Sequence, residues 1–168
     1  MLLKHPFHRE VFEYWNRCRG MKIMPSESAI FPRENYDFLP NMLWIDVKYN
    51  PLNFRYRKHG AALTKSYGLD PTGKSVRELP PAGLGALMHE QYREVIKSGE
   101  PCFHNIVVRT DSYKAEYDRL TLPISEDEKK IKSLFAVTIF RSEFIRDLFL
   151  EESNFGHRAS PRLYCGPC

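Results

Sequence analysis

The stretch from Asn53 to Leu79 constrains the fold more than any other part of the chain, because its character changes twice within a short span. Aromatic and basic residues alternate from Phe54 to His59, which is the period-2 pattern of a β-strand. Helix-tolerant residues follow from Ala61 to Tyr67, and Gly68 then supplies a helix stop. A polar turn with proline and glycine comes next. The segment therefore predicts a strand, a short helix and a turn, which leucines hold to a core.

The turn also matches a nucleotide-binding pattern. Residues Gly68–Ser75 are GLDPTGKS, which satisfies G-x-x-x-x-G-K-[ST]. In a true phosphate loop a buried strand precedes the first glycine, and a long helix begins at the lysine. The residues before Gly68 are too polar for a central strand, and Pro80 and Pro81 leave room for only one or two helical turns. We expect a structural turn, and a P-loop nucleotide-binding enzyme using Gly68–Ser75 is the alternative.

Several motifs in this order resemble those of PAS domains. Tyr14-Trp15 in a first helix, LPNMLWIDV at residues 39–47, FRYR at 54–57 and GLDPTGK at 68–74 are similar to a bacterial stand-alone PAS subfamily. The resemblance covers about Phe7 to Phe140. It implies a sensory or partner-binding role, no catalysis, and a pocket between a sheet and its helices. PAS domains that bind haem or flavin use histidine or cysteine motifs that have no match here, so the resemblance implies no cofactor.

Periodicity and turn signals place the remaining elements. They predict an α+β fold with a PAS-like five-stranded antiparallel sheet, helices on one face, an N-terminal amphipathic helix and a C-terminal helix. We expect residues 1–40 to form the N-terminal helix and connector, 41–142 the PAS core, and 143–168 a C-terminal helix and mobile tail. The predicted helices are His5–Arg19, Ala61–Tyr67, Gly83–Lys97 and Glu143–Glu152. The predicted strands are Asn41–Lys48, Phe54–His59, Cys102–Arg109, Glu116–Ile124 and Lys132–Phe140.

Length and charge narrow the class of protein without identifying a partner. A chain of 168 residues suits a single domain. Its 25 basic and 21 acidic residues give a net charge of +4, with no block of like charges. No apolar run has the length of a membrane span, and Leu2-Leu3 is too short for a signal-peptide core. We therefore expect a cytoplasmic protein with no membrane partner, and nucleic-acid binding is only a third hypothesis.

Two groups of side chains are candidates for binding. A pocket between the sheet and the helix at residues 83–97 would have wall residues Tyr56, Tyr67, Leu79, Leu87 and Tyr92. Arg55, Arg57 and His59 are expected to share one sheet face, where they could bind a carboxylate or phosphate group. We favour a competing interpretation of the arginines, in which Arg55 or Arg57 pairs with Asp46 or Asp118 on a neighbouring strand.

Cysteine and histidine patterns do not predict a catalytic or metal site. Cys165 and Cys168 lie in YCGPC, which matches the thioredoxin motif and could also supply half a zinc site with His157. No helix follows Cys168 to lower a thiol pKa, so we favour a mobile tail. His5 and His8 have the spacing H-x-x-H, but solvent-facing histidines are far more common than ligands. The expectation is a non-enzymatic protein with no metal.

The first hypothesis for function is accordingly a signalling module. It would bind a small ligand or a regulatory protein partner, and that partner could be a second copy of the chain. The amphipathic N-terminal helix must cover an apolar surface, and the back of the sheet and a second subunit are the two candidates.

Overall fold

The computed structural model describes residues 3–30, 36–80, 83–109, 114–141 and 162–165. Its helices are α1 (Pro6–Arg19), α2 (Glu27–Ile30), α3 (Ala61–Tyr67) and α4 (Leu84–Ser98). Single 3₁₀ turns lie at Leu39–Asn41 and Val76–Glu78. The strands are β1 (Met42–Lys48), β2 (Asn53–His59), β3 (Cys102–Arg109), β4 (Lys114–Ser125), β5 (Ile131–Phe140) and β6 (Arg162–Cys165).

The strands form a single antiparallel sheet in the order β2-β1-β5-β4-β3-β6. This arrangement confirms the predicted α+β class and the five predicted strands. The sixth strand, β6, was not predicted, because the tail that contains it has no apolar periodicity. It pairs with the edge of β3, with Ile106 opposite Cys165. The predicted helix at residues 143–152 and the residue Cys168 lie outside the described residues.

Helix α1 packs on the sheet, which is one of the two arrangements expected for it, the other being contact with a second subunit. Val11, Tyr14 and Trp15 recur on one face of the helix and are buried. The indole Nε1 of Trp15 donates a hydrogen bond to the carbonyl oxygen of Pro123 on β4 at 2.9 Å. The hydroxyl of Tyr14 donates to the carbonyl oxygen of Ile30 at 3.0 Å. These bonds attach α1 to β4 and to the connector that follows it.

Both faces of the sheet are covered, which explains why β1 is apolar on both sides. We call the face under α3 and α4 the inner face and the face under α1 the outer face. Leu43 and Ile45 lie on the inner face, whereas Trp44 packs with Phe135 on the outer face at a ring-centroid distance of 5.6 Å. Within the described residues, no helix has both the length and the apolar character that crossing a bilayer requires.

The segment that matched the P-loop pattern is a turn attached to the edge of β2. Gly68 takes the left-handed conformation with φ 71° and closes α3, so a helix and not a strand precedes the motif. The amide of Gly73 donates to the carbonyl of Tyr56 at 2.7 Å, and the amide of Tyr56 donates to the carbonyl of Lys74 at 3.1 Å. After Ser75 only a single 3₁₀ turn forms. The P-loop alternative is therefore wrong, because neither the preceding strand nor the long following helix exists.

Candidate functional site

The most unusual feature of the inner face is a buried arginine on β4. The side chain of Arg119 is 1% exposed, although arginine is almost never fully buried without a charged partner. It lies on the central part of the sheet, with His104 of β3 opposite on one side and Thr138 of β5 on the other. Strand alternation places Tyr117 on the same face, two residues earlier. The sheet thus holds a guanidinium group inside the core.

Polar and aromatic side chains surround this guanidinium group. Its Nε donates to the hydroxyl of Thr138 at 3.1 Å, and its Nη1 donates to the sulfur of Met88 on α4. The ring centroids of Tyr92 and Tyr117 lie 5.6 and 5.4 Å from the Arg119 Cζ, within the range of a cation–π interaction. The guanidinium also interacts electrostatically with Tyr67.

The surrounding tyrosines do not neutralise the positive charge. Burial raises the pKa of Tyr56 and Tyr117 well above the usual value of 10.0, and it also raises the pKa of Tyr67. These phenols are therefore neutral near pH 7. Arg119 keeps its charge, because a guanidinium is not deprotonated in proteins. Among the described residues, no carboxylate forms an ion pair with Arg119.

The neighbouring histidines are neutral as well. Burial lowers the pKa of His59 to about 4, the charge of Asp70 opposes this shift, and the charge of Arg119 adds to it. Burial also lowers the pKa of His104, although its hydrogen bond to Glu94 at 3.0 Å acts in the opposite direction. Both rings are uncharged near neutral pH. The positive charge of this part of the inner face consequently resides on Arg119.

The structure brings three of the five predicted pocket residues together around Arg119. Tyr56, Tyr67 and Tyr92 are 2%, 4% and 0% exposed, and the electrostatic interactions of Arg119 include all three. Leu79 is buried at the end of the 3₁₀ turn, and Leu87 is half-buried on α4. These two leucines contribute apolar packing.

The predicted anion-binding arginines have partners within the chain. Arg57 donates from Nε to a carboxylate oxygen of Asp46 at 2.7 Å and from Nη2 to Glu27 at 2.8 Å. Arg55 donates to the carbonyl oxygen of Gly73 at 2.6 Å. The pairing of Arg57 with Asp46 confirms the interpretation favoured from sequence. Asp118 pairs instead with Arg141, at 2.8 Å from its Nε.

His59 does not share a face with the arginines, so that part of the prediction is wrong. The register shifts between Trp44 and Ile45 of β1, which face Lys58 and Tyr56 respectively. This irregularity inserts an extra residue into β2, and every later side chain changes face. His59 therefore lies on the inner face, where its ring packs edge-on against Tyr56 and Tyr67 at 5.9 and 5.5 Å.

Sequence reasoning missed the central residue of the site. Arg119 lies in the run EYDRLTLP, in which polar and apolar residues occur at both alternating positions, so the pattern does not identify the buried face. Its partners Met88 and Thr138 belong to α4 and β5, and no local sequence pattern marks either residue as a neighbour of Arg119. A usable signal was present in the alternation of Tyr117 and Arg119, which predicts that an arginine shares the face of an aromatic residue.

The described residues contain no group of three or more histidine, cysteine, aspartate or glutamate side chains that could hold a metal ion. The proposed partners in a half zinc site, His157 and Cys168, lie outside the described residues.

Several solved structures are similar to part of this chain. The PAS domain of BvgS from Bordetella pertussis is 21% identical, with 69% of this chain and 90% of that chain covered and a TM-score of 0.48. A light-oxygen-voltage domain studied with a flavin analogue is 16% identical, with 68% and 86% covered and a TM-score of 0.47. VqmA from Vibrio cholerae, solved with ligand and DNA, is 17% identical, with 58% and 45% covered and a TM-score of 0.46. This chain thus spans less than half of the VqmA chain.

No curated protein matches the chain. A family model described as a PAS domain matches residues 3–138, which include helices α1 to α4 and most of the sheet. Because this match covers most of the sequence, the chain belongs to the PAS domain family.

Proposed function

We propose that this chain is a non-enzymatic sensory module that binds a small molecule on the inner face of its sheet. The observation that supports the proposal is the buried charge of Arg119, which lies among aromatic rings and has no carboxylate partner among the described residues. Such an arrangement is unusual for a core whose only role is stability.

Burial of the Arg119 charge without a counter-charge among the described residues costs free energy. Removing a guanidinium from water costs several kcal/mol even after the protein relaxes, and an apolar residue of similar volume is often more stabilising. Thr138, Met88 and the aromatic rings offset only part of that cost, since none of them carries a negative charge. A buried polar group in an otherwise apolar site is typical of a binding pocket that orients a ligand.

The site also suggests how binding could be transmitted. Met88 and Tyr92 both belong to α4, and both contact Arg119 from the helix side. A ligand that changes the surroundings of Arg119 would therefore change the packing of α4 against the sheet. The opposite face of α4 is exposed and carries charged residues such as Glu90 and Arg93. We propose that this helix passes the signal to a partner protein or to a second copy of the chain in the cytoplasm.

A ligand screen tests this function without assuming the class of ligand. The purified 168-residue chain is heated with a library of small metabolites, and native mass spectrometry detects complexes with the compounds that raise Tm. At least one compound should raise Tm and bind one molecule per chain, because ligand binding to the folded state alone stabilises it. The Arg57→Met variant, which changes an arginine of the outer face, should respond to that compound as the wild type does. Absence of any bound compound across the library would contradict ligand sensing.

A further inference from the structure

The acceptors around Arg119 do not match the donors of its guanidinium group. A guanidinium presents several N–H donors in a planar fork that fits the two oxygens of a carboxylate. Here Nε donates to the Thr138 hydroxyl, and Nη1 donates to the sulfur of Met88. A thioether sulfur is only a weak acceptor. The strongest donor of the inner face is therefore bonded partly to a weak acceptor.

Met88 is the side chain that a ligand would displace. It is fully buried on α4 and packs directly between that helix and Arg119. Methionine is unbranched and adapts its conformation at low cost, so it can fill the space when the site is empty and withdraw when a ligand arrives. Exchange of the sulfur for a carboxylate oxygen would replace a weak hydrogen bond with a charge-assisted one, which is about twice as strong as a neutral bond.

Tyr92 supplies a second polar group at the same place. Its ring lies against the Arg119 guanidinium and is fully buried. Its hydroxyl has no hydrogen-bond partner within the part of the chain that the structure describes. A buried hydroxyl without a partner costs free energy, and buried polar groups in proteins are nearly always satisfied. An oxygen atom of a ligand bound to Arg119 would be an acceptor for this hydroxyl.

We propose that the inner face binds a small monocarboxylic acid with an aromatic or apolar body, its carboxylate paired with Arg119 and hydrogen-bonded by Tyr92. This inference rests on the proposed function and specifies its ligand. A single carboxylate matches the single charge of Arg119, whereas a phosphate dianion would leave excess negative charge in a buried site. The walls around the guanidinium are aromatic. Tyr117 and Tyr67 belong to these walls, and each packs edge-on against Phe140, at ring-centroid distances of 5.5 and 5.4 Å.

The test compares acids with their neutral analogues. Benzoate, phenylacetate and 4-hydroxybenzoate are each titrated into the full chain beside the matching amide, with inorganic phosphate as a separate arm. Calorimetry gives Kd, and the chemical shift of the Arg119 Nε–H group reports the site directly. The variants are Arg119→Met, Tyr92→Phe and the outer-face control Arg57→Met.

At least one of the acids should bind the wild type and Arg57→Met equally, and its amide should bind at least tenfold more weakly. Binding to Arg119→Met should be at least thirtyfold weaker, because a charge-assisted hydrogen bond is lost. Tyr92→Phe should weaken binding about tenfold or more, because it removes one hydrogen bond to a charged acceptor. Binding of that acid should also move the Arg119 Nε–H resonance of the wild type.

Four results would overturn the inference. If no acid binds the wild type, or if an acid binds Arg119→Met as tightly as the wild type, Arg119 does not recognise a carboxylate. If phosphate binds more tightly than every acid and needs Arg119, the ligand class is wrong. A neutral library compound that stabilises the wild type and Arg119→Met alike would leave the sensory function intact while overturning the carboxylate proposal.

Discussion

Arginines on the two faces of this sheet have opposite surroundings. On the outer face, Arg57 pairs with Asp46 and Glu27, and Arg141 pairs with Asp118. The side chains of Arg57 and Arg141 remain 39% and 44% exposed, so water reaches both guanidinium groups, although Asp118 itself is only 5% exposed. On the inner face, Arg119 is 1% exposed and has no carboxylate partner among the described residues. Within the part of the chain that the structure describes, arginines thus have carboxylate partners on the outer face, whereas Arg119 on the inner face has none.

This difference is consistent with a structural role for the outer arginines and with the binding role proposed for Arg119. The outer arginines link α2, β1, β4 and the end of β5, and these links account for their presence. Burial of Arg119 costs free energy that its neutral neighbours offset only in part. Within the described residues no carboxylate offsets this cost, which is the observation that supports the proposed ligand.

The largest expected effect concerns the cover of the outer face. Trp15→Ala should lower the free energy of unfolding by about 3–5 kcal/mol, because it removes a buried ring of α1 and leaves a cavity. Trp15→Phe keeps most of the ring and loses the bond to Pro123, so its cost should be smaller, with the lost hydrogen bond worth about 1 kcal/mol. Urea unfolding measures both. A loss below about 1 kcal/mol for Trp15→Ala would mean that α1 does not pack on the sheet.

The next effect has the opposite sign and lies on the inner face. Arg119→Met should leave the free energy of unfolding unchanged or raise it by about 1–4 kcal/mol, as replacement of a buried charge by an apolar side chain often does. The same denaturation series on the ligand-free protein measures it. A loss of more than about 3 kcal/mol would show that Arg119 is the centre of a satisfied structural network, and the contrast between the faces would fail.

A pH effect of intermediate size comes from His8 on the outer face. Burial lowers its pKa to about 4; the charge of Asp118 opposes the shift, and those of His5 and Arg141 add to it. Because the folded-state pKa lies below the unfolded value of 6.5, the unfolded chain binds more protons between these values. Stability from this group is therefore complete above pH 6.5 and falls as the pH approaches 4, by an amount on the order of 2 kcal/mol.

Urea unfolding from pH 7 to about pH 4 measures this loss, and His8→Gln should flatten the profile since glutamine does not titrate. His59→Gln is the matched change on the inner face, where the pKa is also about 4. It should flatten the profile by a similar amount. If neither variant changes the dependence of unfolding free energy on pH, burial of these two rings is not the cause of the stability loss at low pH.

The smallest effect tests the outer ion pair itself. A double-mutant cycle with Arg57→Met and Asp46→Asn should give a coupling energy of about 0.2–1 kcal/mol, the range of exposed pairs. High salt should reduce it further. A coupling energy above about 2 kcal/mol would mean that the Arg57–Asp46 pair behaves like a buried ion pair. The contrast between solvent-screened arginines on the outer face and Arg119 on the inner face would then fail.

Periodic segments made most of the fold predictable. Strands β1 and β3 and helices α1, α3 and α4 were placed to within one residue, since their apolar spacing and glycine ends are local signals. Tyr56, Tyr67 and Tyr92 were predicted to lie between the sheet and its helices, and all three are buried. The face of His59 was not, because the irregularity in β2 depends on pairing with β1. Strand β6 was missed, since four residues without periodicity become a strand only beside β3.

The sequence by itself determined the order of the elements, the faces of the helices and the structural role of the Gly68–Ser75 turn. Only the tertiary structure decided which side of β4 is buried and therefore that Arg119 lies inside. The physical reason is that periodicity reports how side chains alternate along one element, whereas burial and charge pairing depend on what other elements place opposite them. Met88, Tyr92 and Thr138 meet Arg119 from α4 and β5, and no local pattern encodes that meeting.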